Sequence, residues 1–320
     1  MILYRLKKIY LRGGIDLVIR KLIRRIILPT RRFLGISFFV KLEMFVMLGY
    51  WPNLKKPRTS NEKLAFRKLF APHPLSTLCA DKYAVREYVL KKTGRKDILN
   101  ELYWVGTEPR DIPFSLLPDR FVIKATHGSG WNIFVKDKNK ANLKDIISQC
   151  EKWMHSKYSS ASTIFSETHY DKIPPRIIIE RFIEDKTYGI PLDYKFFCFN
   201  GKAEIIQVDL DRYGIHRENF YDINWKQLKF KLGFPSGGVI CRPARLQDMI
   251  FFAEQISSGF DFCRVDLYSP NNENVIFGEI TLVPGGGISR FSPREWDFRL
   301  GEMFNLTCFE KMADNANNPS

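Results

Sequence analysis

The chain has 320 residues, of which 45% are hydrophobic and 27% are charged. These proportions are typical of a globular protein with a sizeable core, and they exclude an intrinsically disordered chain. The net charge of +15 is concentrated at the N-terminus, where residues 1–35 contain ten Lys/Arg and one acid, Asp16, and so carry +9 of it. The charge therefore belongs to an arm and argues against a nucleic-acid partner.

The six cysteines are scattered, with no CxxC pair and no His/Cys cluster at zinc-ligand spacing. This pattern favours free, mostly buried thiols in a reducing cytoplasm over a disulfide framework.

The basic arm, residues 1–35, is also amphipathic. Apolar residues recur at helical spacing on both sides of a Gly13-Gly14 break, with basic residues between them. Such a helix could lie on an anionic membrane surface, which would make the protein cytoplasmic and peripheral to the inner face of the plasma membrane. A helix that packs on its own domain with a solvated basic face explains the pattern equally well. The apolar stretch 33–50 is interrupted by Lys41 and Glu43, which favours a core or interfacial helix over a membrane span.

Helices and short strands follow a proline-containing linker. The linker is predicted over residues 51–60, and helices over residues 61–70, 81–92, 142–155 and 243–257. Strands are predicted over 103–106, 121–124, 131–135 and 176–183, and two hairpins join 193–201 to 202–210 and 262–268 to 275–282. Antiparallel hairpins predominate over βαβ units, so the predicted class is α+β. The polar tail, residues 310–320, is predicted to be disordered.

The stretch FVIKATHGSG, residues 121–130, joins a buried strand to a glycine loop. Lys124 supplies a positive charge, and Gly128 and Gly130 let backbone N–H groups approach phosphate oxygens closely. A second strand follows at once, so this is not a phosphate loop at a helix N-terminus. Strand, lysine, glycine loop and strand together predict a polyphosphate site, although an ordinary hairpin with a solvated lysine shows the same pattern.

A second group of polar residues lies on the last hairpin. Arg264 and Asp266 alternate on one strand, and Glu279 and Thr281 alternate on its partner, so each pair shares a face. If the strand pairing joins those faces, an arginine, two carboxylates and a hydroxyl converge. That set predicts a site for Mg²⁺ carrying a polyphosphate, and a salt bridge from the arginine to either acid is the alternative.

The order of these pieces resembles the ATP-grasp superfamily. Eight segments resemble its TupA-like (teichuronopeptide biosynthesis) branch closely, over about residues 61–304. They are ADKYAVREYV, FVIKATHGSG, PRIIIERFI, DYKFFCFNGK, QVDLDR, FCRVDLY, FGEITLVPGGG and FSPREWD. The resemblance implies two α+β subdomains that clasp ATP. It divides the chain into a basic arm and linker (1–60), a helical region (61–120), a lid subdomain (121–186), a C-terminal subdomain with the metal site (187–309) and a tail (310–320).

The resemblance also implies which residues bind ATP. Lys124 matches the lysine that reaches the α- and β-phosphates, and Lys82 matches an earlier phosphate lysine. The mobile loop that closes over the phosphates corresponds to Gly128, Ser129 and Gly130. The hinge that receives adenine begins at Glu180, with backbone groups of Arg181 and Ile183 reading the base edge and Glu184 or Asp185 reaching the ribose.

The remaining matches concern the transferred phosphoryl group. Lys195 matches the lysine near the terminal phosphates, and Arg264 matches the arginine that stabilises the transferring phosphoryl group. Asp266 and Glu279 match the magnesium carboxylates. Thr281 stands where the family pattern commonly has asparagine, a better metal ligand.

The implied activity is an ATP- and Mg²⁺-dependent carboxylate–amine ligase working through an acylphosphate. Its partners would be ATP, a carboxylate-bearing sugar or acid, and an amine, in the synthesis of a bacterial cell-surface polymer. Asp209, Asp211 and Arg212 follow the central hairpin and either line the acceptor pocket or cap a strand. A glycosyltransferase or phosphotransferase of polysaccharide synthesis, and a non-catalytic nucleotide-binding protein at a membrane surface, remain as alternatives.

Overall fold

A computed structural model describes residues 2–158, 168–211, 214 and 216–306. The predicted disordered tail, Cys308 and Arg212 lie outside the described residues. Of the cysteines inside them, Cys79, Cys150, Cys198 and Cys263 are buried and Cys241 is exposed, and all five are free thiols as predicted.

The described helices are α1 (Ile2–Ile27), α2 (Ile36–Leu48), α3 (Ser60–Phe70), α4 (Ser76–Ala80), α5 (Val85–Thr93), α6 (Leu143–Met154), α7 (Leu246–Ser257) and α8 (Glu295–Met303). The described strands are β1 (Leu102–Gly106), β2 (Phe121–Ala125), β3 (Asn132–Val135), β4 (Ile177–Arg181), β5 (Asp193–Phe199), β6 (Lys202–Leu210), β7 (Arg217–Asp222), β8 (Gln227–Leu228), β9 (Phe262–Tyr268) and β10 (Ile276–Thr281).

These strands form two antiparallel sheets, which confirms the predicted α+β class. The small sheet has four strands in the order β1-β4-β2-β3, and the large sheet has six in the order β10-β9-β5-β6-β7-β8. Strands β2 and β4 are central to the small sheet, and Ile177, Ile178 and Ile179 are fully buried there. Helix α6 packs on this sheet, where the indoles of Trp131 and Trp153 stack with centroids 6.3 Å apart.

The large sheet has two different faces. One is apolar and packs on α7, which contributes Leu246, Met249 and Ile256. On the other face the residue type changes along each strand. Strand β9 carries Phe262 and then Arg264 and Asp266, and its antiparallel neighbour β5 carries Phe199 and Phe197 and then Lys195, which is paired with Asp266. The apolar end of this face lies under α3 and α8. The polar end is left open and becomes the wall of a cleft.

Two differences from the sequence-based expectations have local causes. Helix α5 begins at Val85 rather than residue 81, because the carboxylate of Asp81 accepts the N–H groups of Tyr83 and Ala84 in a turn before it. Strand β7 was not predicted, because the alternation in Arg217–Asp222 is broken by buried polar residues. Glu218 accepts the N–H groups of Leu232 and Phe234, which satisfies its carboxylate in the interior.

The N-terminal helices form a hairpin. Helix α1 is interrupted by non-helical backbone at Gly13 and Gly14, where the sequence predicted a break. Helix α2 buries Phe39, Val40 and Met44. None of the described helices is long and apolar enough to cross a membrane.

Close packing of α8 on the residues before α3 leads to a stability prediction. A Cβ added at Gly301 would lie 2.0 Å from the carbonyl oxygen of Arg58. Gly301→Ala should therefore lower the free energy of unfolding by about 2 kcal/mol, although alanine favours helix more than glycine does. Gly238→Ala is the matched control because a Cβ there meets nothing within 4 Å. Chemical denaturation of both variants checks this, and equal stability would contradict the close contact.

Candidate active site

A cleft of about 1270 Å³ lies between the small sheet and the polar end of the large sheet. Both walls contribute residues singled out in the sequence. They are Lys82, Lys124, Ser129, Gly130, Glu180, Arg181, Ile183, Lys195, Arg264, Asp266, Glu279 and Thr281. The structure therefore brings together residues as far apart in sequence as 82 and 281.

On the small-sheet wall, Lys124 and Glu180 form an ion pair with Nζ and Oε2 2.7 Å apart. They meet because Glu180 is paired with Val122 across the ladder, and Val122 lies on the same face of β2 as Lys124. The second oxygen of Glu180 accepts a hydrogen bond of 2.8 Å from Arg86, whose guanidinium also donates to the carbonyl of Asn100. Glu180 is thus buried between two cations that both lie at the edge of the cleft.

The glycine loop is held by Lys82. Its ammonium donates to the carbonyl of Ala125 at 2.9 Å and to that of Gly128. A Cβ at Gly128 would come within 2.4 Å of the indole of Trp131, so only glycine fits, and Gly130 has a φ of +73° that favours glycine. Burial lowers the pKa of Lys82 to about 8, and the neighbouring charge of Lys124 adds to this effect.

This pKa leads to a prediction on nucleotide affinity. Lys82 is charged below about pH 8 and loses its proton above that value, so its attraction for phosphate weakens as pH rises. The affinity for a non-hydrolysable ATP analogue should fall about tenfold between about pH 7.5 and pH 9.5 relative to Lys82→Arg, whose charge does not titrate in that range. Calorimetric titration of both proteins measures this difference. Parallel pH profiles would show that Lys82 does not contact the phosphates.

On the large-sheet wall, the predicted convergence of the last hairpin is confirmed. The ladder pairs Thr281 with Arg264 and Glu279 with Asp266. Arg264 donates to both oxygens of Asp266 at 2.7 Å, to Glu279 at 3.1 Å and to the hydroxyl of Thr281 at 3.2 Å. The four side chains therefore form one network at the floor of the cleft.

Lys195 lies beside this network because the next ladder pairs it with Asp266. Its ammonium contacts Asp209 and lies 3.5 Å from Asp193. Burial alone would lower the pKa of Lys195, but the carboxylates of Asp193, Asp209 and Asp266 raise it above its usual value. Lys195 is therefore a charged group at neutral pH, 6% exposed, on the wall of the cleft opposite that of Lys124.

The donor set fits a magnesium ion that also binds phosphate. Asp266 is 1% exposed, and burial raises its pKa to about 8 while Arg264 opposes the rise. Glu279 is more open, with a side chain 53% exposed. Among the described residues no group of three or more His, Cys, Asp and Glu side chains could hold a metal ion. With two carboxylates, phosphate or water oxygens would have to complete the coordination shell of the metal. Mg²⁺ usually binds in this way.

Two predicted hinge residues have other partners. The N–H of Arg181 donates to the carbonyl of Glu101, and its carbonyl accepts from the amide of Asn100, so Arg181 is bonded to the residues just before β1. Glu184 lies at the surface, paired with Arg120 and 52% exposed, and is not among the described residues that line the cleft. If this segment binds adenine, the backbone groups around Ile183 would therefore make the hydrogen bonds to the base.

Several residues of the cleft were missed by sequence reasoning as site residues. These are Arg86, Asn100 and Asp193. Asp209, which the sequence had already singled out, also lines the cleft, and its pKa is held below its usual range by His216 and Lys195 against the opposing effect of burial. The alternation Asp193-Tyr194-Lys195 already placed Asp193 on the face of Lys195. Arg86 had no such signal, because it contacts Glu180 from a helix 94 residues away.

Two antiparallel sheets that face each other across a charged cleft are the arrangement of the ATP-grasp fold. A family model described as TupA-like ATPgrasp matches residues 62–305. The chain belongs to the TupA-like ATP-grasp family.

Solved structures similar to this chain are distant from it. D-alanine–D-alanine ligase from Bacillus anthracis complexed with ATP is 16% identical with a TM-score of 0.39, and the match covers 65% of this chain and 56% of that one. N5-carboxyaminoimidazole synthase from Aspergillus clavatus, in complex with ADP and 5-aminoimidazole ribonucleotide, is 10% identical with a TM-score of 0.38. That match covers 64% of this chain and 44% of the other. This chain thus spans about half the length of these enzymes. No curated protein matches the sequence.

Proposed function

We propose that the protein is an ATP- and Mg²⁺-dependent ligase that joins a carboxylate to an amine through an acylphosphate. The observation that carries this proposal is the arrangement of the cleft. Lys124 and Lys82 face it from the small-sheet side, and Arg264 and Lys195 face it beside two carboxylates on the large sheet. A polyphosphate between the two walls would meet cations on both sides and a magnesium site on one.

Each part of ATP would contact a different set of residues along the cleft. Lys124 and Lys82 would contact the α- and β-phosphates, with Gly128, Ser129 and Gly130 closing over them. The adenine would bind at the segment after Glu180, near Ile183. Lys195 and Arg264 would contact the terminal phosphate. Lys124, Lys195 and Arg264 are each paired with a carboxylate, and the ammonium of Lys82 donates to two backbone carbonyls, so each of these cations has a partner before ATP binds.

Asp266 and Glu279, with the hydroxyl of Thr281 beside them, would hold magnesium, which on binding shields the phosphate oxygens and offsets their developing charge. For it to bind, the guanidinium of Arg264 has to release these oxygens and turn towards the phosphate. The chemistry then depends on position and charge. A substrate carboxylate oxygen attacks the γ-phosphorus, the bond between this phosphorus and the β,γ-bridging oxygen breaks, and ADP leaves with that oxygen.

The second step forms the amide. An amine that arrives protonated first gives one proton to water, and its neutral nitrogen then attacks the acyl carbon. The bond from carbon to the phosphate oxygen breaks, inorganic phosphate leaves, and the nitrogen gives a second proton to water. The polar face around Asp209 and Asp193 is a suitable place for a protonated amine to arrive, because both carboxylates are buried there beside Lys195. The sequence left open whether Asp209 lines the acceptor pocket or caps a strand, and we propose the acceptor pocket.

Membership of the TupA-like family supports a proposal for the substrate class. We propose a uronic acid or another sugar-borne carboxylate, joined to an amino acid or amino sugar in a bacterial cell-surface polysaccharide or polysaccharide–peptide polymer. The protein would act in the cytoplasm, at the inner face of the plasma membrane. Membership of an ATP-grasp family favours this ligase over a glycosyltransferase.

ADP release tests the proposal. Purified protein is supplied with ATP, Mg²⁺ and a panel of uronic acids and amines, and ADP is measured. ADP formation that requires both an acid and an amine, with an amide in the product, is the expected result. Nucleotide binding without turnover across the whole panel would instead support a non-catalytic nucleotide-binding protein.

A further inference from the structure

One row of charged residues on α1 contacts the rest of the protein. Arg20 pairs with Asp16 at 2.8 Å and donates to the carbonyl of Val46 at 2.8 Å, and Arg24 pairs with Glu43 at 2.7 Å. Asp16 also pairs with Arg290 at 2.6 Å. Residues 16, 20 and 24 follow one another at helical spacing, so a single side of the helix makes all these contacts.

An exposed apolar stripe runs beside this charged row on the same helix. Its members recur at positions i, i+4, i+7, i+8 and i+11, which lie on one face of an α-helix. They are Ile15, Ile19, Leu22, Ile23 and Ile26, with exposures of 63%, 48%, 48%, 41% and 74%. An ordinary surface helix buries its apolar face and exposes its charges. Here Arg20 and Arg24 contact the protein while the apolar stripe is exposed, so burial in the core does not explain the stripe.

The stripe is part of a wider concentration of exposed apolar side chains. Eleven of the nineteen large hydrophobic residues that are exposed in the described part of the chain lie between residues 10 and 51. Beyond the stripe they include Phe33, which is 89% exposed, and Phe38 and Phe45, whose rings contact that of Trp51. Apolar surface grouped in this way marks a contact site for a lipid surface or another protein.

Charge decides between a lipid surface and a second copy of the chain. The arm around the stripe carries ten basic residues, and its one acid, Asp16, is already paired with two arginines. Two such arms would repel each other, whereas a layer of anionic lipid headgroups would attract one. No described helix can span a bilayer, so the helix would lie in the plane of the interface.

We propose that the apolar stripe of α1 is a membrane-docking face, which inserts into the headgroup region of an anionic leaflet while Arg20 and Arg24 stay bonded to the protein. This inference names the surface through which the proposed membrane association occurs. It is independent of the ligase chemistry, because none of its residues lies in the proposed ATP site.

Co-sedimentation with vesicles tests the face. Full-length protein should bind vesicles of phosphatidylglycerol and phosphatidylcholine, and bind pure phosphatidylcholine less. The triple variant Ile19→Ser/Leu22→Ser/Ile26→Ser should lose about tenfold or more of this binding. Its thermal unfolding and its affinity for an ATP analogue should match those of the wild type. A failed ligase proposal would leave these results unchanged.

A matched control removes the same kind of residue elsewhere. Leu116→Ser/Val239→Ser/Phe251→Ser changes three side chains that are 82%, 94% and 55% exposed outside the arm, and it should bind vesicles as the wild type does. Equal binding of the stripe variant and the wild type would overturn the proposal, and so would absence of binding by the wild type. A concentration-dependent dimer in sedimentation velocity that the stripe substitutions abolish would assign the face to a second copy instead.

Discussion

Asp266→Asn should lower ATP turnover at least about 100-fold while the protein stays folded. Asp266 is buried between Arg264 and Glu279, and its carboxylate is one of only two proposed magnesium ligands of that charge. The amide keeps the shape of the side chain but removes a negatively charged oxygen. Because burial already raises the pKa of this carboxyl group, a neutral side chain is tolerated, and the free energy of unfolding should change by no more than about 2 kcal/mol.

Magnesium dependence distinguishes loss of a ligand from general damage. With Asp266→Asn, residual ADP formation should require far more Mg²⁺ than in the wild type, and Glu279→Gln should behave in the same way. Asp248→Asn is the control, because that carboxylate is 50% exposed and pairs only locally with Arg245. Full turnover of either cleft variant at ordinary magnesium would remove these residues from the metal site.

Lys195→Met should both abolish turnover and destabilise the fold. The side chain of Lys195 is 8% exposed and that of Asp209 is 1% exposed, so removing the ammonium leaves buried carboxylate charge without its main partner. Breaking a buried ion pair from one side typically costs about 3 kcal/mol or more of unfolding free energy. Urea denaturation and ADP release measure the two effects separately.

A double variant separates the structural part from the catalytic part. Lys195→Met/Asp209→Asn removes both charges, so it should recover most of the lost stability and none of the turnover. Lys202→Met, which breaks an ion pair with Glu254 where the lysine is 70% exposed, should change stability by less than about 1 kcal/mol. If the double variant is as unstable as the single one, charge burial is not the cause. If Lys195→Met turns over ATP normally, the lysine does not contact the phosphates.

Local patterns in the sequence predicted much of the fold and part of the site. Strand β9 has the predicted bounds, and strict alternation correctly placed Arg264 and Asp266 on one face opposite Glu279 and Thr281. Such contacts are predictable because they depend on the two-residue period of a strand and on one hairpin. The roles assigned to these residues in ATP binding stay predictions.

Contacts between distant elements could not be predicted in the same way. The approach of Arg86 to Glu180 depends on how α5 packs against the small sheet, and no local pattern encodes that packing. The same holds for α1, where the sequence showed an amphipathic helix but not which side faces the protein. Ion pairs with Glu43 and Arg290 set that orientation, and they come from α2 and from the far end of the chain.

Magnesium-dependent binding of a non-hydrolysable ATP analogue tests the central claim most directly, because it needs no knowledge of the acid or the amine. Calorimetric titration of the wild type should show tight binding with Mg²⁺ and much weaker binding with a chelator. Lys124→Met should weaken binding in both conditions, and Asp266→Asn should remove only the magnesium-dependent part. Binding that is equal with and without magnesium, and unchanged in both variants, would contradict a nucleotide site between the two sheets.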